Sequence, residues 1–131
     1  MDVFVYGTLT DPSQAGAVLD EFAYVGAATL SGLHRVEGRY PTLAPGGRVA
    51  GRLLRTDDVD ALDRYEGVET GLYVRVSIPL DGAVDSAGSE AAVYVGDPDR
   101  LDAPADWPGE GDFGARVRRY VREQAVRLTL D

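Results

Sequence analysis

Apolar residues recur along this chain with two different periods. Val3-Phe4-Val5-Tyr6 is a continuous apolar run that stops at Gly7, and it predicts a buried first strand. Residues 11–20 open on Asp11-Pro12 and predict a short helix, because a proline just inside a helix start has no amide hydrogen to lose. Phe22 to Leu30 predicts a second strand. Gly32 to Pro45 reads as irregular, ending near the turn pair Gly46-Gly47. Arg48 to Arg55 predicts a strand whose central Gly51 signals a bulge or a close backbone approach.

Thr56 is placed to cap the next helix, with Asp57 and Asp58 in its first turn, where the dipole favours anions. Val59, Leu62 and Glu66 then share one face, and Gly67 is the stop signal. Leu72, Val74, Val76 and Ile78 alternate in a strand over 71–80. Its expected partner is 90–95, across a loop at 81–89. Residues 97–111 hold three prolines and several acids and read as a long loop. A closing helix is predicted over 113–130, with Val117, Tyr120, Val121, Gln124, Ala125 and Leu128 on one side. Strands that do not alternate with long helices argue for an α+β fold with a curled, barrel-like sheet in one domain, residues 1–131.

Composition narrows the chemistry. The chain has no cysteine and a single histidine, His34, which excludes disulfides, cysteine nucleophiles and multi-histidine metal sites. There is no lysine, so neither a lysine Schiff base nor a Gly-x-x-x-x-Gly-Lys phosphate loop is possible. No Gly-x-Ser-x-Gly elbow presents a serine. The net charge of -9 argues against a nucleic-acid partner. Aspartate outnumbers glutamate 15 to 7, which fits a salt-adapted surface or a GC-rich genome. No apolar run reaches the ~18 residues of a membrane span, and Met1-Asp2-Val3 does not resemble an export signal, so a cytoplasmic protein is expected. The oligomeric state is left open.

Carboxylates, hydroxyls and backbone amides must therefore carry any catalysis. Two places stand out. Tyr6-Gly7-Thr8-Leu9 joins a buried strand to a tight turn, where free N–H groups can meet a carboxylate or an oxyanion. An ordinary strand-to-loop turn is the simpler reading. Glu66 sits on the apolar face of its helix, where burial would poise its carboxyl for proton transfer near neutrality. The simpler alternative is a glutamate that is solvated or paired with Arg75. His34 reads as a surface or packing residue, and Trp107 as a cover over the barrel or the pocket mouth. Tyr73 and Tyr94 either pack or line a pocket.

Taken in order, Val3 to Leu9, Tyr40-Pro41, Val49-Ala50-Gly51-Arg52-Leu53, Leu62 to Val68, Tyr73-Val74-Arg75 and Ala92-Val93-Tyr94-Val95 resemble the motifs of the gamma-glutamylcyclotransferase-like proteins. The resemblance implies a small mixed β-barrel flanked by helices. It implies that Tyr6, Gly7, Thr8 and Leu9 hold the amino-acid end of a gamma-glutamyl group, with Thr8 where many members have serine. Glu66 is then the acid/base, Arg75 is a candidate partner for the substrate carboxylate, and Tyr94 a further contact. Neither a metal nor an organic cofactor is implied. The expected reaction is cyclisation of a gamma-glutamyl amide to 5-oxoproline, or removal of a gamma-glutamyl cap by the same chemistry. The alternative from another class is a non-catalytic module that binds an amino-acid-like metabolite.

Overall fold

The computed structural model describes residues 1–81 and 90–131. Six strands close into a mixed barrel in the order β1-β3-β2-β6-β4-β5. They are β1 (Asp2–Val5), β2 (Ala23–Glu37), β3 (Pro41–Arg55), β4 (Tyr73–Asp81), β5 (Glu90–Gly96) and β6 (Arg127–Leu130). The helices are α1 (Pro12–Val18), α2 (Val59–Glu66), the single turn α3 (Pro98–Leu101) and α4 (Phe113–Glu123). Strands β1 and β5, and β4 and β6, pair parallel, and the other neighbours pair antiparallel. The expected loop between β4 and β5 falls mainly on residues 82–89, outside the described residues.

The barrel has two apolar faces. Phe4, Leu30, Leu43, Leu53, Val76, Ile78, Val93 and Leu128 fill its interior. Val3, Val5, Leu54, Tyr73, Ala92 and Tyr94 belong to a second cluster with Ala15 and Leu19 at α1 and Leu62 on α2. This period-two division of β1 and β5 sets where α2 docks, and so where Glu66 is held. Gly51 is a close approach rather than a bulge. It pairs in register with Ala28, and a Cβ there would strike the Val5 carbonyl and the Phe4 ring. The first helix begins as the sequence predicts, with Asp11 accepting from the Ser13 amide at 2.9 Å.

Four sequence expectations are corrected. Residues 32–45 are not irregular: β2 and β3 form one long hairpin through them. The glycines that signalled a turn lie at a bulge, where Gly32, Gly46 and Gly47 all have positive φ and the register shifts between Ser31 and Leu33. Pro41 begins β3 and Pro45 sits at the bulge, places where a missing amide hydrogen costs a strand least. Thr56 accepts from the Asp58 amide, but the N-cap of α2 is Asp58, so the helix starts later than its capping signal. The long loop over 97–111 contains α3, whose N-cap Asp97 accepts from the Asp99 amide.

The closing helix also ends early, at Glu123. Ala125 takes a left-handed φ of 51°, and Arg127–Leu130 becomes the strand that closes the barrel between β2 and β4. Val126 and Leu128 are fully buried, so the barrel's need for a sixth strand outweighs the helical spacing of Leu128. Trp107 covers the barrel and not the pocket mouth. It is buried in the barrel core, with its ring edge-on to Phe113 and Tyr120.

Candidate active site

A cleft of about 440 Å³ opens where the end of β1 meets α2 and the β2–β3 turn. Nearly half of its lining residues are aromatic: Phe4 together with Tyr6, Tyr40, Tyr65, Tyr73 and Tyr94. Five of the seven tyrosines of the chain therefore converge on one place. Most of their hydroxyls are already committed. Tyr6 donates to the Tyr94 carbonyl at 2.6 Å, and Tyr73 donates to the Pro41 carbonyl at 2.6 Å. Tyr94 donates to Asp63 Oδ1 at 2.8 Å, and the Tyr65 hydroxyl lies 3.0 Å from Thr8 Oγ1. Burial raises the pKa of Tyr6, Tyr73 and Tyr94 above the usual tyrosine value, so all three stay neutral donors at physiological pH.

Among the described residues Glu66 is the one carboxylate that lines the cleft, and no arginine or histidine lines it. Leu62, one turn earlier on the same face of α2, is fully buried and fixes the helix against the barrel. Gly67 then leaves the helix at φ 71°, a left-handed conformation that glycine adopts without strain. Together they aim the last side chain of α2 at the cleft. Among the described residues Glu66 has no hydrogen-bond or ion-pair partner. Desolvation by its apolar walls raises its carboxyl pKa to about 7. The Arg75 pairing considered from the sequence does not form. Arg75 Nη1 sits 3.0 Å from Asp63 instead, and Arg75 does not line this cleft.

The Tyr6-Gly7-Thr8-Leu9 segment forms the opposing wall. Thr8–Thr10 makes a single 3-10 turn beginning after Gly7. The carbonyls of this segment are tied from several sides. Arg35 donates to Tyr6 O at 2.8 Å, Thr10 Oγ1 to Gly7 O at 2.7 Å, Tyr24 to Leu9 O at 2.6 Å and Arg52 to Thr10 O at 3.1 Å. The N–H groups of Gly7, Thr8 and Leu9 find no acceptor among the described residues. Opening turns leave such donors orphaned, and the fixed carbonyls hold them in place for an anionic or carbonyl oxygen.

The structure thus brings together Tyr6, Gly7, Thr8, Leu9, Glu66 and Tyr94 and leaves Arg75 outside. Sequence reasoning missed the contributions of Tyr40 and Tyr65. The pairing of Tyr65 with Glu66, and of Tyr40 with Pro41, inside the quoted motifs was the available signal. Among the described residues no group of three or more His, Asp or Glu side chains is placed to hold a metal ion. No helix there is long and apolar enough to cross a membrane.

A family profile described as gamma-glutamyl cyclotransferase, AIG2-like, matches residues 3–113. AIG2-like protein C of Arabidopsis thaliana is 34% identical over 136 residues, covering 98% of this chain and 75% of that protein. The chain belongs to the AIG2-like gamma-glutamyl cyclotransferase family. Its solved relatives share the barrel. A gamma-glutamyl cyclotransferase structure superposes with a TM-score of 0.61 at 17% identity, over 74% of this chain and 66% of that one. A solution structure from Arabidopsis thaliana superposes with a TM-score of 0.53 at 30% identity, over 94% of this chain and 84% of that one. The chain spans about two thirds of the length of the first of these structures.

Proposed function

We propose that this family member cyclises a gamma-glutamyl amide to 5-oxoproline and a free amine, with Glu66 as the acid/base. The observation that carries this reading is the environment of Glu66. Among the described residues it is a lone, unpaired carboxyl, its pKa raised to about 7, lining the same cleft as the unpaired amides of Gly7 to Leu9.

The chemistry needs little more. A gamma-glutamyl amide carries its own nucleophile, the alpha-amine. Ionised Glu66 takes a proton from that amine, whose lone pair attacks the gamma-carbonyl carbon and closes a five-membered ring. The developing oxyanion accepts hydrogen bonds from the amides of the Gly7–Leu9 turn. Glu66 returns the proton to the departing nitrogen as the original amide C–N bond breaks. A pKa near 7 keeps both forms of Glu66 accessible at neutral pH. The ring closure is intramolecular, so proximity supplies much of the rate. No arginine is among the described residues that line the cleft, so those amides of the turn that do not face the oxyanion are left for the substrate carboxylate.

The test is release of 5-oxoproline from a panel of gamma-glutamyl amino acids and gamma-glutamyl amines, wild type beside Glu66→Gln. Release by wild type and its loss in the variant is the expected result. A folded wild-type protein that binds these amides but releases no 5-oxoproline would instead support a metabolite-binding module.

A further inference from the structure

A second cleft, of about 560 Å³, shares no lining residue with the Glu66 cleft and lies between the outward face of β4, the end of α4 and the start of β6. Its charge is opposite to that of the molecule. The chain carries -9 overall, yet Arg75, Arg118, Arg122 and Arg127 all line this cleft, with Glu90 as the one carboxylate in its lining. The four arginines come from three elements that are distant in sequence, so the fold brings Arg75 and Arg127 beside the pair that Arg118 and Arg122 form on one face of α4.

Two of the four are locally neutralised. Arg75 is paired with Asp63, and Arg127 with Asp81 at 2.7 Å. Arg118 and Arg122 have no carboxylate partner among the described residues. They stand at i and i+4 on α4, where like charges repel and destabilise a helix by a few tenths of a kcal/mol. The helix dipole accounts for Arg122 in the last turn but not for Arg118. Arg118 is further held over β4 by donating to the Arg75 carbonyl at 3.3 Å. The floor between them is apolar, formed by Val121 and Val126.

We propose that this arginine-lined cleft is a binding site for a small polyvalent oxyanion, bearing phosphate or clustered carboxylate groups, gripped by Arg118 and Arg122. Planar guanidinium forks suit both anions, because each presents paired oxygens for bidentate hydrogen bonds. A compact ligand fits the bounded cleft. A long polyanion would have to cross the surrounding negative field.

Inorganic pyrophosphate and citrate are the probes, each titrated into the whole protein at ionic strength matched with sodium chloride. Thermal melting and calorimetry are the readouts. Saturable binding with a rise in Tm is expected for at least one probe, and the preferred probe tells phosphate from polycarboxylate as the source. The double variant Arg118→Gln/Arg122→Gln should weaken that binding at least tenfold. Its melting in chloride alone checks that it is folded. Undiminished 5-oxoproline release by that variant, if the wild type shows release, separates this site from the Glu66 cleft. Failure of both probes to bind, undiminished binding in the folded variant, or preferential binding of a short single-stranded DNA would each overturn the assignment.

Discussion

Asp63 and Glu66 stand one turn apart on α2 and meet opposite surroundings. The Asp63 carboxylate receives Arg75 at 3.0 Å and the Tyr94 hydroxyl at 2.8 Å, whereas Glu66 receives no partner among the described residues and faces aromatic walls. One carboxylate is tied to an arginine and a tyrosine, and the other is left without a partner in a setting that raises its pKa. Asp63 also joins α2 to β4 and β5, and so holds the helix that presents Glu66.

Replacing Asp63 with Asn should therefore do more than remove a charge. It leaves the partly buried Arg75 guanidinium without its partner, a change typically costing about 1–3 kcal/mol. Partial exposure of Arg75 places the effect towards the low end. Urea unfolding of Asp63→Asn, Arg75→Gln and the double variant measures this. A double variant whose loss is smaller than the sum of the two single losses is the expected outcome.

Glu66 should make stability depend on pH in a defined window. Its folded-state pKa of about 7 lies above the ordinary 4.5, so the native state holds the proton more tightly than the unfolded chain. The contribution is full below pH 4.5 and is lost as pH rises towards 7. Each pKa unit corresponds to about 1.4 kcal/mol, and water in the open cleft lowers the total to roughly 1–3 kcal/mol. Unfolding free energies of wild type and Glu66→Gln should diverge between those two pH values and run parallel above them. Parallel behaviour throughout would remove the desolvated-carboxyl account. If the protein cyclises its substrate, kcat/KM should rise with pH through about 7, because the ionised form acts first.

The amide turn should depend on its carbonyl anchors. Tyr24→Phe removes the 2.6 Å bond to Leu9 O while keeping the ring under Arg52, whose guanidinium lies 3.7 Å from the ring centroid. A loss of about 1 kcal/mol is expected in chemical denaturation. In a 5-oxoproline assay the same variant should show a larger fall in kcat/KM than its stability loss explains, since it loosens the Gly7–Leu9 donors. Equal effects on a variant distant from the cleft would make the anchor merely structural.

Gly51→Ala should be severely destabilising. The new methyl group meets the Val5 backbone carbonyl and the Phe4 ring, and the backbone between two paired strands cannot give way. Overpacking of this kind costs typically 1–3 kcal/mol or more. Thermal unfolding should show a Tm lower by several degrees, and an unchanged Tm would mean that β1 and β3 are not packed this closely.

Local rules made much of this legible before folding. The run Val3 to Tyr6, the Asp11-Pro12 helix start, the inward face of Leu62 and Glu66, the Gly67 stop and the alternation of β4 all follow from period, capping and backbone freedom over a few residues. Three features escaped because local signals had two readings. Gly46-Gly47 fits a turn as well as a bulge, and only pairing with β2 selects the bulge. Leu128 fits the helical stripe of α4 and the alternation Val126, Leu128, Leu130, and only the open gap between β2 and β4 selects the strand. Arg75 was available to Asp63 as well as to Glu66, and the side of the helix that faces β4 selects Asp63.

The sequence by itself determined which chemistry was possible. Without cysteine, without lysine and with one histidine, it left carboxylates, hydroxyls and backbone amides as the candidates, and placed a carboxylate on an apolar helix face and amides on a glycine turn. Only the tertiary structure decided their meaning. Chain closure brings residues 6–9, 40, 65–66, 73 and 94 to one cleft, and that convergence partly desolvates Glu66 and raises its pKa. A pKa depends on the solvent and charges around a group, and those neighbours are set by contacts across the barrel that no local pattern encodes.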